Sequence, residues 1–151
     1  MIQLLAPMTG TAIPLEQVPD TAFSRKLLGD GAAIIPEEGV IVSPVDGCLS
    51  AISNTLHAYI FSTPDGLDIL VHVGLESVGL QGRGFYPLKK PGDPVCAGEP
   101  VADVDLVLLK KKGVPLYTPV VVCEGAEGMK LTAETGSVTA GKSLLVTLEK
   151  R

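Results

Sequence analysis

Glycine and proline interrupt this chain at short intervals, seventeen of the one and twelve of the other among 151 residues. Long helices do not survive such punctuation, because proline removes a backbone donor and glycine brings a large conformational entropy cost. Between the interruptions lie short apolar segments rich in Val, Ile and Leu: Gln3–Ala6, Ala32–Pro36, Val40–Ser43, Gly47–Ile52, Ala58–Ser62, Asp68–Val73, Pro94–Val104, Val120–Cys123, Ser137–Thr139 and Ser143–Leu148. Segments of that kind read as strands. Two places read as brief helix. Thr21–Leu28 follows Val18-Pro19-Asp20 and stops at Gly29, and Asp105–Lys112 carries a cap, leucine spacing and terminal lysines before Gly113. The expected fold is all-β, a barrel-like β-sandwich with only short helical turns.

Several classes of function are excluded at this level. The chain is 46% hydrophobic and 19% charged, the composition of a packed core rather than of disorder. No linker or low-complexity tract divides it, so residues 1–151 read as one domain. A net charge of −5 argues against nucleic acid and suits a basic protein partner. No apolar run approaches the roughly 20 residues of a membrane helix, and the N-terminus lacks the basic region of a signal peptide. Cys48, Cys96 and Cys123 are scattered and form no CxxC pair, which suits thiols used as small apolar residues in the cytoplasm.

A weak internal echo runs through the chain. Val45-Asp46-Gly47 turns into one strand, and Gly92-Asp93-Pro94-Val95 with Ala97-Gly98-Glu99-Pro100-Val101 does the same, in the manner of biotinyl and lipoyl carrier domains. The shared logic is a tight glycine turn that lets two strands approach closely, the hallmark of a duplicated hybrid motif.

The two histidines carry most of the chemical information. Thr63-Pro64-Asp65-Gly66 is a good turn between Ala58–Ser62 and Asp68–Val73, so the two strands are expected to form a hairpin. His57 and His72 are symmetric about the centre of Pro64-Asp65, which would bring the imidazoles together on one face. Paired neutral imidazoles suit either metal binding or phosphoryl transfer, since a ring nitrogen is nucleophilic near neutral pH. The plain alternative is two unrelated histidines, one in the core and one on the surface.

A family resemblance is carried by Leu5-Ala6-Pro7-Met8-Thr9-Gly10, Val18-Pro19-Asp20, Gly29-Asp30-Gly31-Ala32-Ala33-Ile34 and Ser43-Pro44-Val45-Asp46-Gly47. It continues through Thr55-Leu56-His57-Ala58, Leu70-Val71-His72-Val73-Gly74, Leu80-Gln81-Gly82-Arg83-Gly84-Phe85 and Thr118-Pro119-Val120-Val121. In order and in histidine spacing these segments resemble the glucose-type IIA component of the bacterial phosphoenolpyruvate:sugar phosphotransferase system. The resemblance implies that His72 accepts a phosphoryl group from the histidine phosphocarrier protein and passes it to a cysteine of a sugar-specific IIB domain. It implies that His57 stabilises the transferring group, that Thr55 holds the His57 tautomer, and that the Gly74 carbonyl does so for His72. An apolar depression for the partner is implied at Phe23, Leu27, Leu28, Ile60, Leu70 and Val78, framed by Asp20 and Glu76. No cofactor and no metal are implied for the reaction; zinc shared by His57, His72 and a partner carboxylate belongs to some members only. The chain departs from the family at Ser53 and Gly79, where an aromatic and an acid are common, and is expected to lack the leader of some members.

Rival readings are few. Gly128-Met129-Lys130-Leu131 echoes a biotin-accepting tract but lacks its second methionine. A zinc hydrolase would need a third ligand from a carboxylate or cysteine, and neither HxH nor HExxH is present. A domain that only binds and regulates would keep the same fold without turnover.

Overall fold

The computed structural model describes residues 1–151. Strands follow one another with little helix between them, and every pairing is antiparallel. The main sheet has eight strands, in the order β13 (Gly136–Val138), β2 (Gly10–Pro14), β3 (Asp30–Pro36), β11 (Thr118–Glu124), β7 (Asp68–His72), β6 (Ala58–Ser62), β5 (Gly47–Ile52) and β9 (Pro94–Val95). A second sheet joins β1 (Ile2–Leu5), β14 (Leu144–Lys150) and β12 (Met129–Ala133). A third joins β4 (Val40–Val42), β10 (Pro100–Val104) and β8 (Phe85–Pro87). The sheets stay open at their edges and do not close into a barrel.

One core of 28 buried residues takes side chains from all three sheets, among them Leu148, Phe61, Ile69 and Val101. Burying each such side chain contributes roughly 1.5–3 kcal/mol, so this cluster is the main source of stability. A separate cluster of six, Leu15, Val18, Phe23, Ala33, Leu75 and Val121, lies beside the histidines. The two segments of the internal echo pair with each other, Gly47 opposite Val95 and Cys48 opposite Pro94. Gly47 is required there by space: a Cβ would lie 2.0 Å from the Ser62 carbonyl oxygen.

Several elements differ from the sequence reading. Pro94–Val104 is two strands, because the chain turns between Cys96 and Glu99 with Gly98 at φ +87°. Strands β2, β8 and β12 were not anticipated, and the first helix α1 is only Thr21–Ser24. It does not reach Leu28, because Lys26 sits at φ 60° in the left-handed region and ends the helical path. Asp20 does cap it, accepting from Ala22 N at 2.9 Å. The second helix α2 (Leu106–Lys111) is capped as read, Asp105 accepting from Leu108 N at 3.0 Å, with Gly113 at its end.

Met129-Lys130 opens β12 and pairs with Lys150 and Glu149 inside a ladder. No exposed hairpin tip carries that lysine, which removes the biotin-carrier alternative. Cys96 is exposed rather than packed, unlike half-buried Cys48 and Cys123, and all three thiols are free. Burial raises the Cys123 thiol above its usual range, and the nearby Asp68 carboxylate adds to the effect.

Candidate functional site

The hairpin forms, one residue out of the expected register. Ser62 pairs with Asp68 and Ala58 with His72, so the symmetry centre is Asp65 itself. The tip is a closed loop in which Thr63 N donates to Leu67 O at 2.9 Å and Gly66 N to Thr63 O at 3.1 Å. His57 lies opposite Val73, whose N donates to the His57 carbonyl at 2.8 Å. In an unbroken strand that register would turn His57 to the far face from His72, because side chains alternate. His57 instead precedes the first residue of β6, and Leu56 before it adopts φ 64°. The strand alternation does not extend to His57, which lies outside β6 next to this left-handed residue. The imidazoles meet after all, with ring centroids 4.7 Å apart and planes at 80°.

Each ring is tied through Nδ1. His72 Nδ1 lies 2.9 Å from the Gly74 carbonyl oxygen. A carbonyl only accepts, so Nδ1 carries the proton and neutral His72 has its lone pair on Nε2. Gly74 delivers that carbonyl because it turns the chain at φ +76° two residues after β7 ends. His57 Nδ1 lies 2.7 Å from Thr55 Oγ1, which fixes the ring plane. His57 is nearly enclosed, with 9% of its surface exposed, whereas His72 is half-buried. The Phe23 ring stands 5.2 Å from His72 and backs it with apolar surface.

Both histidines are held below the usual imidazole range. For His57 the main cause is burial, with the neighbouring His72 adding to it and a backbone hydrogen bond at Thr55 opposing. For His72 burial again dominates, opposed by the bond to Gly74 and by the charge of Asp20. Near pH 7 both rings are therefore neutral, the state in which a ring nitrogen is a nucleophile or a ligand.

Both histidines open into a depression of about 360 Å³ shared with Asp20, Phe23, Leu28, Glu76 and Val78. Ala22 and Ser77 complete it, neither anticipated from sequence. Ser77 donates to the Val73 carbonyl at 2.6 Å and braces the turn after His72; a lone Ser in a turn carries no signal that would have revealed this. Leu28 and Val78 are 44% and 58% exposed and give the depression apolar edges beside the polar rings. Three expected rim residues do not line the depression. Leu27 is 71% exposed outside it, because the chain has left α1 before reaching it. Leu70 leans instead on the six-residue cluster, and half-buried Ile60, its partner in the ladder, lies further along β6.

Zinc would find little here. No three His, Cys, Asp or Glu side chains are grouped to hold a metal ion, and the two histidines offer two of the roughly four donors zinc takes. The third ligand that a zinc hydrolase needs is not assembled by this fold.

Residues 2–128 match the model of the family described as phosphoenolpyruvate-dependent sugar phosphotransferase system, EIIA 1. The chain belongs to that family. It is 37% identical to the PTS system glucose-specific EIIA component of Buchnera aphidicola subsp. Baizongia pistaciae, over 99% of this chain and 89% of that protein. It is 40% identical to the PTS system glucoside-specific EIICBA component of Staphylococcus carnosus, over 95% of this chain but 21% of that longer protein. The glucose permease IIA from Mycoplasma capricolum has the same fold, with a TM-score of 0.88 and 34% identity over 96% of this chain and 94% of that one. The chain is thus a phosphoryl carrier of the sugar phosphotransferase system. No helix in it is long and apolar enough to cross a membrane.

Proposed function

We propose that His72 is the phosphoryl acceptor, and that residues 1–151 act in the cytoplasm as one carrier unit between the histidine phosphocarrier protein and a IIB domain. The observation that carries this reading is the bond from His72 Nδ1 to the Gly74 carbonyl, which leaves a bare Nε2 facing an open depression. That nitrogen attacks phosphorus on the incoming phosphohistidine; a new N–P bond forms as the carrier's N–P bond breaks, and the electron pair returns to the carrier's ring. In the second step a thiolate of the IIB domain attacks the same phosphorus, and the bonding pair returns to His72 Nε2. The name EIICBA of the Staphylococcus carnosus relative supports a IIB-type partner.

The transition state spreads negative charge over three equatorial oxygens, so positioning and donors matter more than covalent chemistry. His57 is the donor closest to hand. The apolar rim at Phe23, Leu28 and Val78 receives the partner and excludes water from a labile N–P bond. Asp20 and Glu76 face a basic partner surface.

The test is incubation with phosphoenolpyruvate, enzyme I and the phosphocarrier, followed by mapping of an acid-labile phosphate. His72→Gln is expected to take up none while remaining folded. His57→Gln is expected to accept phosphate and pass it onward poorly. Phosphate retained in His72→Gln would overturn the assignment.

A further inference from the structure

We propose that Ser77 is a positioning residue for His72, holding the Val73–Gly74 peptide so that the Gly74 carbonyl keeps its aim at the ring. The inference rests on the role given above to His72. After β7 the chain turns in a conformation that local propensity does not hold. Gly74 stands at φ +76° and Glu76 at φ 61°, both in the left-handed region, and glycine is free to leave it. Hydrogen bonds on three consecutive peptide units supply the restraint. The unit between His72 and Val73 is held by Val73 N, which donates to the His57 carbonyl at 2.8 Å. The unit between Gly74 and Leu75 is held by Leu75 N, which donates to the Pro115 carbonyl at 2.9 Å. That last unit also carries the carbonyl to which His72 Nδ1 donates, at 2.9 Å.

The unit between these two has one protein bond, and a side chain makes it. Gly74 N donates to no protein group, and the Val73 carbonyl accepts only from Ser77 Oγ, at 2.6 Å. The Val73–Gly74 and Gly74–Leu75 units meet at the Gly74 Cα, so the two dihedrals of Gly74 are set by fixing both planes. Release of the first leaves the second to pivot about its bond to Pro115, and the carbonyl swings with it. Of the three restraints, only this one can be removed without touching the backbone. Ser77 is 1% exposed and its proton is committed to Val73, so it acts on His72 through the turn and not on the phosphoryl group. The charged and titratable groups that share the depression with His72, namely His57, Asp20 and Glu76, are all left in place by its removal. The bond to Gly74 raises the proton affinity of His72 against the larger effect of burial, as do the charge of Asp20 and a backbone bond at His72 itself.

The test is Ser77→Ala, read by NMR titration of His72 in the unphosphorylated chain and by single-turnover transfer from phosphorylated carrier. A weakened bond to Gly74 is expected to move the His72 midpoint to lower pH. Acceptance is expected to slow about fivefold at saturating carrier, the weight of one hydrogen bond. The half-saturating carrier concentration is expected to hold, because the rim keeps its residues. Ser77→Thr keeps the hydroxyl and is expected to match the wild type in both readouts. An alanine variant with the wild-type midpoint and maximal rate overturns the proposal. So does one in which only the half-saturating concentration rises, the signature of a residue that merely shapes the docking surface. The wild-type chain gives a check that needs no variant: the Ser77 hydroxyl proton is expected to exchange slowly with water, and fast exchange overturns the proposal. A lowered midpoint in Ser77→Ala together with no phosphate on wild-type His72 would instead sink the functional reading and leave the role of Ser77 standing.

Discussion

Gly74→Ala is the substitution with the most to say about this site. At φ +76° an alanine is in the left-handed region, at a cost of about 1–2 kcal/mol. Its Cβ would also meet Val114 Cγ1 at 3.0 Å, the Pro115 carbonyl oxygen at 3.2 Å and Ser77 Oγ at 3.2 Å. Two of these neighbours are side chains that can yield a little, so crowding adds modestly, and the total is about 2 kcal/mol or somewhat more. For a chain of this length that corresponds to a melting temperature lowered by roughly 4–8 °C. Two other glycines calibrate the result. Gly66, at φ +88° with nothing within 4 Å of its Cβ position, isolates the conformational cost alone. Gly79, with equally open space and no positive φ, should accept alanine with little change or a slight gain. Relaxation of the turn at residue 74 also moves the carbonyl that holds His72 Nδ1, so phosphoryl acceptance should slow about tenfold, as expected when a charge-stabilising constellation loses its alignment. Thermal denaturation of the three variants and single-turnover transfer from phosphorylated carrier make the comparison. Should Gly74→Ala melt with Gly79→Ala and accept phosphate at the wild-type rate, the account of this turn is wrong.

Other expectations concern packing and protonation. Tyr59 is fully buried and its hydroxyl has no hydrogen-bond partner, so Tyr59→Phe should leave stability unchanged or raise it by about 1 kcal/mol in urea unfolding. Phe23→Ala empties the small cluster beside His72 and should cost about 3 kcal/mol while weakening partner binding in titration calorimetry. Because both imidazoles are held below the ordinary value near 6.5, the unfolded chain binds protons first as pH falls. The two histidines thus cost nothing above that value and subtract stability progressively below it, down to their folded pKa values. The double variant His57→Gln, His72→Gln should show a flatter loss of stability over that window, and an unchanged slope would contradict the shifts.

The hairpin bearing both histidines was legible because Thr63-Pro64-Asp65-Gly66 is a strong turn signal between two apolar runs. Its register was not, since the loop closes through Thr63 and Leu67 around Asp65, and only the backbone bonds disclose that centre. Leu56 illustrates the limit more sharply. A branched apolar residue gives no hint of left-handed backbone, yet Leu56 has a φ of 64° immediately before His57, where the strand alternation ends. Thr21–Leu28 looked helical through Leu27 and Leu28, but propensity over so short a stretch is weak and the turn at Lys26 prevails. Strand β12 alternates half-buried and exposed residues, Met129, Leu131 and Ala133 against Lys130 and Thr132, and its moderate apolar face was masked by the lysine motif. The Gly74 carbonyl as a partner for His72 came from the family resemblance and has no signature in residue spacing.

The division of labour between chain segments has a consequence for how such a module diversifies. Both rings and the groups that hold them, Thr55 and Gly74, hang from one stretch of chain around a single hairpin. The rim comes from elsewhere: Asp20, Phe23 and Leu28 from the segment around α1, Glu76 and Val78 from the turn beyond it. Leu28 and Val78 touch solvent and carry little of the fold, so they are free to change without disturbing a proton or a ring plane. A lineage can therefore exchange its customers while keeping its currency, and an engineer seeking a new docking partner has a short list of outward-facing positions from which to start.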